Sequence, residues 1–198
     1  AAVAASYVAQ QRTVIASLAR LLEATASRPA SYGCLGLHEW AMVYQADETR
    51  HPVPLRLGAS GTDAVVDSHR IRCSHFDAFR FFTPAAVPLN TLTPGRDNRP
   101  SFEQPGCLHA NMDLYKHAFR LSPLIPAELV ADCFDLAWRV RELDMRASPY
   151  DLVDWGYSPV AIETPEGKAE YTDAQRAFSE EAAPLRERLI GYCKRLLA

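Results

Sequence analysis

The apolar positions of this chain fall mostly at helical spacing. From Val3 to about Ala26, Val3, Tyr7, Val14, Leu18 and Leu21 follow an i, i+4, i+7 rhythm with Val8, Ile15 and Leu22 beside them, and Ser27-Arg28-Pro29 ends the run. Pro126 to Arg146 gives the clearest pattern. Leu129, Cys133, Leu136, Val140 and Leu143 form one stripe, Pro126 suits a first turn, and Ser148-Pro149 stops the helix. A last helix is predicted from about Thr172, where Thr172 and Gln175 fit a capping box. Phe178, Ala182, Leu185, Leu189 and Leu196 line one side of it, and Pro184 predicts a kink or a break. A short helix over Leu37 to Tyr44 follows the turn suggested by Gly33 and Gly36.

The stretch from His109 to Arg120, HANMDLYKHAFR, follows a turn at Pro105-Gly106. As a helix it projects His109, Asp113 and His117 from one face at i, i+4 and i+8. Leu108, Met112, Tyr115 and Phe119 fall on another face and read as core.

The remaining segments are less regular. HPVPLRL (51–57) reads as an extended edge, and Gly58 to Asp63 as a glycine-containing loop. That loop has neither the Lys-Ser/Thr ending of a phosphate-binding loop nor a GxGxxG spacing. Asp67 to Cys73 reads as extended, with His69, Ile71 and Cys73 on one face and Arg70 and Arg72 on the other. A helix can start at Ser74, with Asp77 in a capping-box-like position and Phe76, Phe79 and Phe82 as its apolar stripe. Five prolines break up Thr83 to Pro105, a long loop of the kind that forms binding segments or lids. Tyr150 to Tyr157 is a polar-aromatic loop, Ser158 to Glu163 a short strand or extended segment, and Pro165-Glu-Gly167 a turn. The expected architecture is mainly α: a single compact helical domain over 1–198, with short extended segments and one long Pro-rich loop.

At 198 residues, 48% hydrophobic and 23% charged, the chain is long enough for a substantial core of its own. No apolar run approaches the length of a membrane span, and the first residues lack the basic and apolar regions of a secretory signal. The cysteines at 34, 73, 107, 133 and 193 are odd in number, widely spaced and free of any CxxC, which argues against a disulfide framework or a zinc ribbon. Reduced thiols in a cytoplasmic protein are expected. The formal net charge of −3 means that holding DNA would require Lys and Arg to be concentrated on one face.

Three kinds of chemistry are open. His69, His75, His109 and His117, completed by Asp67, Asp77 or Asp113, could hold zinc or non-haem iron, since imidazole and carboxylate suit both. The His109…Asp113…His117 spacing brings ligands together as in HExxH sites, although that motif is absent and Asp113 could equally pair with Lys116 or His117. Alternatively, one of Asp67, Asp77, Asp113 and Asp144 acts as a catalytic carboxylate, Asp113 or Asp77 first, with His109 as a neighbour, and Glu39 beside His38 is a further functional candidate. Trp40, His38, Tyr115, Asn90 and Arg80 are then the candidate substrate contacts. His38 beside Trp40 is also an ordinary setting for a hydrogen-bonded packing residue. Cys107, two residues before His109, is a third candidate as a nucleophile, without a supporting flanking pattern.

Over residues 33–44 (GCLGLHEWAMVY), 54–84, 104–123 (QPGCLHANMDLYKHAFRLSP), 143–152 (LDMRASPYDL) and 162–171 (IETPEGKAEY), the chain resembles a group of actinobacterial proteins identified as 3-methyladenine DNA glycosylases. Members of that group carry a further N-terminal segment, and this chain, which does not begin with Met, is expected to lack it. The resemblance implies hydrolysis of the N-glycosidic bond of an alkylated purine in DNA, with no cofactor required. Such an activity needs aromatic surfaces for a flipped base and a basic groove, for which Arg70, Arg72, Arg80, Arg96, Arg99 and Arg120 are the available members. The sequence has no glycine-rich helix-hairpin-helix and no helical repeat, so the resemblance assigns no catalytic residue to a numbered position. The rival expectations are a His/Asp metal-dependent enzyme acting on a small molecule, and a non-catalytic binding protein.

Overall fold

The computed structural model describes residues 3–198. It is mainly α-helical, as expected. Eight α-helices follow one another among the described residues: α1 (Ala5–Ala26), α2 (Leu37–Ala41), α3 (Gly58–Asp67), α4 (Phe76–Phe79), α5 (Arg99–Phe102), α6 (Leu108–Leu121), α7 (Ala127–Arg146) and α8 (Pro165–Leu197). The four long helices make the body: α6 packs on α7, α1 on α8, and α8 also on α6 and α7. One contiguous core joins them, built from Ile15 and Leu22 of α1, Leu114 and Leu121 of α6, Leu129, Leu136 and Val140 of α7, and Leu189 and Cys193 of α8. The stripe expected on α7 is buried throughout. Among the described residues no helix is long and apolar enough to cross a membrane.

The four short helices lie in the long connection between α1 and α6. No strand forms among the described residues; two isolated bridges, Leu55 to Tyr150 and Ile71 to Asn90, are all that the extended segments achieve. Ser158 to Glu163 forms no strand and ends in a turn, Ile162 donating its N–H to Val160 O at 2.9 Å. Val160 donates its N–H to Arg146 O at 2.8 Å, and Val160 and Ile162 are fully buried.

Four sequence expectations need correction. Gly58 to Asp67 is helix α3, not a loop. Thr62, Val65 and Val66 are buried along it, and that tertiary burial outweighs the poor helix propensity of Gly58 and Gly61. The last helix begins at Pro165, not near Thr172: Thr164 Oγ1 accepts from Gly167 N–H at 3.1 Å and Pro165 takes the first helical position. Pro184 does not break α8. It and Glu180, whose carbonyl it leaves unpaired, are both exposed, so water can serve that carbonyl while the buried face holds the helix together. Phe119 is not core but 64% exposed. The buried arc of α6 runs through Leu108, Asn111, Leu114, His117, Ala118 and Leu121, and its two polar members blur the apolar signal. Asn111 is accommodated because its Oδ1 accepts from the buried guanidinium of Arg186 at 2.5 Å.

The start of α8 approaches the preceding segment so closely that a Cβ on Gly167 would lie 2.0 Å from Ala161 O. Gly167→Ala is therefore expected to destabilise the fold by about 3 kcal/mol, the upper end for overpacking. At Gly191, on the same helix, the nearest atom to an added Cβ is Arg195 Nη1 at 3.5 Å, so there is room. Gly191→Ala should stabilise by roughly 0.5–1 kcal/mol through helix propensity. Urea unfolding midpoints of the two variants check the opposite signs.

Candidate metal centre

Three side chains from distant parts of the sequence converge beside α2. Ahead of that helix the backbone turns through Leu35 at φ 50 and Gly36 at φ 71, a conformation glycine adopts freely and leucine does not. A side chain at Gly36 would also press on the Tyr171 ring at 3.3 Å. Trp40, fully buried, donates its Nε1–H to Ala147 O at 2.9 Å and pins α2 against the end of α7. This docking sets His38 opposite Asp144 in the last turn of α7, with Nε2 2.9 Å from Oδ1. His109, from the first turn of α6, stands edge-on to His38 with ring centroids 4.4 Å apart. One ligating atom each from His38, His109 and Asp144 lies within 4.8 Å of the others.

The surroundings set the charges. Burial pushes His38 toward its neutral form, but the Asp144 carboxylate, which it bonds, raises its pKa well above the usual histidine value. For Asp144 burial works upward, and His38, His109 and Arg141 together hold its pKa below the usual carboxylate range. His109 is pushed down to about 3, first by burial and then by the neighbouring His38 charge, so it is neutral at pH 7. Arg141 donates to the other Asp144 oxygen at 2.8 Å and lies 3.4 Å from Glu39 Oε1. Burial and the Asp144 charge raise the pKa of Glu39, against the pull of His38 and Arg141.

A second polar network adjoins the first. His75 lies 5.3 Å from His109 by ring centroid and places Nε2 3.3 Å from Asp113 Oδ2 and 3.7 Å from Glu103 Oε1. Arg99 bridges Glu103 at 2.5 Å and Asp113 at 2.8 Å, and Lys116 reaches both Asp113 and Asp77. Burial tends to raise Asp113, but the hydrogen bond from His75 and the charges of His75, His117 and Lys116 hold its pKa far below the usual range.

The residues singled out in the sequence are thus divided. The four histidines proposed as ligands do not meet at one point. His109 is in the three-residue cluster and His75 next to it, whereas His69 bonds Val65 O at 2.6 Å and His117 faces a separate groove. Asp113 and Asp77 sit in the ion network. Arg80 pairs with Asp77 at 3.2 Å, and Tyr115 packs edge-to-face on Phe134 with ring centroids 5.1 Å apart. Trp40 is structural in its contacts. Asn90 is committed to backbone, accepting from Cys73 N–H at 2.7 Å and donating to Cys73 O and Leu92 O. His38 belongs to the centre rather than to a substrate surface. Arg141 was not among the site residues expected from the sequence, and Asp144 was expected only as one of four possible catalytic carboxylates and Glu39 only as a functional neighbour of His38, neither as part of a metal centre. The available signal was a carboxylate at i+4 from Val140 and i+8 from Leu136, on the buried stripe of α7, where an unpaired charge is prohibitively costly.

Two spaces adjoin the centre. A cavity of about 10 Å³, room for one water, touches His38, His109, Cys34, Cys73 and Cys107. Cys34 Sγ is 3.8 Å from His38 Nδ1, so Cys34, His38 and Asp144 stand in the order nucleophile, base and orienter. A cavity of that size leaves no space for an acyl substrate at the thiol. Cys107 is buried, and burial pushes its thiol far above the usual range, which makes it a poor nucleophile. The larger space, about 180 Å³, has apolar walls from Pro52, Val53, Met145, Leu152 and Trp155, with Glu39 and Arg141 at its polar edge. For scale, an apolar cavity of about 150 Å³ accepts a benzene ring.

Burial lowers the pKa of His117 to about 4, with Arg99 and Lys116 adding to the effect and Asp113 opposing it. A histidine held neutral in the fold takes a proton more readily when unfolded, so stability falls as pH drops through the unfolded value near 6.5 and stops falling near 4. Between pH 7 and pH 5 this one group should remove about 2 kcal/mol. His117→Asn is expected to flatten the acid side of the stability profile by that amount, as read from denaturant unfolding at the two pH values.

The chain matches no protein-family model, no curated protein and no solved structure, so its functional reading rests on this geometry.

Proposed function

We propose that this protein is a metal-dependent enzyme acting on a small, largely apolar molecule, with the cation held by His38, His109 and Asp144. The observation that carries the reading is the convergence of these three ligating groups in a buried site. Two imidazoles and one carboxylate form a donor set suited to zinc or to non-haem iron, with coordination positions left over for water and substrate. His109 fits this role because burial keeps its ring neutral, leaving a lone pair available. Closing on a cation would draw the three groups nearer than their present spacing, since ligand bonds are about 2.0–2.2 Å.

The neighbours have the character of supports. Cys34 faces the Nδ1 side of His38 and Arg141 holds the second oxygen of Asp144, so both ligands are oriented from behind. A bound cation would supply Lewis acidity and an activated water. Glu39, with its pKa raised by burial and lying 3.9 Å from His38 Nε2, is placed to carry a proton between the centre and the apolar pocket. That pocket would hold the body of the substrate, and Arg141 at its edge would meet any anionic group.

Excision of alkylated bases, the activity implied by the resemblance, calls for a basic groove continuous with an aromatic pocket. Arg96, Arg99 and Arg120 do line one groove, together with Arg20, but no Phe, Tyr or Trp is among its lining residues. Release of free base from alkylated duplex DNA tests that reading directly.

The purified protein is expected to bind one zinc or iron ion per chain, measured by elemental analysis after equilibrium dialysis. His109→Ala and Asp144→Asn should each weaken binding by about 100-fold or more. Asp113→Asn, in the adjoining network, should leave the stoichiometry intact. Uptake that is absent, or equal in wild type and His109→Ala, would overturn the assignment. Turnover of small apolar esters and amides should vanish with the metal and return when it is restored.

A further inference from the structure

We propose that the groove between α1, α5 and α6 is a binding site for the phosphate group of a small organic phosphate. The groove has a volume of about 360 Å³, and four arginines line it: Arg20 of α1, Arg96 from the loop before α5, Arg99 of α5 and Arg120 of α6. Asp97 is the one carboxylate among the lining residues. Arg99 is neutralised by Glu103 and Asp113. Among the described residues no ion pair engages Arg20, Arg96 or Arg120. Elsewhere on the surface arginines do find carboxylates, as Arg139 does with Asp135 and Glu181, and Arg188 with Asp132. A concave surface where three arginines outside any ion pair meet a single lining carboxylate has an excess of positive charge and is poised for an anion.

The second observation is His117. It lines the same groove, is only 3% exposed, and its Nδ1 is buried without a hydrogen-bond partner. Leaving such a group unsatisfied costs on the order of 1–3 kcal/mol. A neutral imidazole can supply one N–H to a phosphate oxygen, beside guanidinium forks that match phosphate in a bidentate manner. Several arginines lining one groove suit a dianion with three free oxygens better than a single carboxylate. The absence of Phe, Tyr and Trp from the lining residues, and the overall charge of −3, favour a small phosphate over a nucleic-acid strand. The inference is independent of the proposed metal, although Arg99, Asp113 and His75 connect the groove to His109.

Titration calorimetry with phenyl phosphate and with inorganic phosphate, at constant ionic strength, tests the site. Saturable binding is expected for at least one probe. It should weaken about tenfold or more in Arg20→Ser/Arg120→Ser. Arg96→Ser, an exposed loop position without an ion pair, should weaken binding on its own, which keeps the test decisive if the double variant folds poorly. Arg188→Ser, away from the groove, should bind as wild type does. Absence of saturable binding, binding unaffected by the groove substitutions, or retention of duplex DNA without binding of either phosphate would overturn the proposal.

Discussion

A carboxylate without exposed surface dominates this structure. Asp144 is fully buried at the end of α7, and an isolated charge there would cost several kcal/mol in lost hydration. Its two oxygens have separate partners, one being His38 and the other Arg141 of the same helix. The first of these partners is available only because α2 is docked on α7, which in turn depends on the Gly36 turn and the Trp40 hydrogen bond. A feature that looks like packing, a buried tryptophan on a helix of five residues, thus maintains the charge balance of the centre. Changes at Trp40 or Gly36 should be felt at Asp144 although its side-chain hydrogen bonds go to His38 and Arg141.

The four long helices provide the rigid frame, and the connection between α1 and α6 provides most of the chemistry. His38, Glu39, His75, Asp77, Arg99 and Glu103 all lie in that connection, while His109, Asp113, Asp144 and Arg141 project from α6 and α7. Every polar contact that defines the two networks joins the connection to the frame or lies within one of them. Irregular segments of this sort bury backbone polar groups that need partners, and Asn90 shows how one side chain can supply three of them. The proline-rich sequence is therefore a folded scaffold in its own right, fixed by side-chain-to-backbone bonds where regular ladders are unavailable.

What the sequence made legible follows from this division. The α7 stripe and the start of α6 were readable because apolar periodicity is a local property. The helical character of α3 was not, since burial of Thr62, Val65 and Val66 comes from packing that no local pattern reports. The same reasoning applies to the candidate site. His109 was recognisable as chemically interesting from its helix face, but its partners were not His69 and His117. They were His38, 71 positions upstream, and Asp144, 35 positions downstream, brought in by the docking of α2 and the pairing of α6 with α7. The polar face of α6 was correctly seen as distinct, yet its three members go to different places: His109 to the centre, Asp113 to the ion network and His117 to the arginine groove.

That fanning-out gives His109 its particular position. It stands between two imidazoles that each face a carboxylate, His38 with Asp144 and His75 with Asp113. Protonating it would place a further positive charge within 4.4 Å of the His38 ring, and burial would leave that repulsion poorly screened. The fold therefore holds a neutral base beside an imidazole that carries a proton, in a site with room for about one water. Pairs of titratable groups pushed in opposite directions are characteristic of sites that move protons or ligate cations, and purely structural ion pairs do not require the third, uncharged member. The uncharged histidine, more than the salt bridges around it, is what distinguishes this cluster from an ordinary buried ion pair.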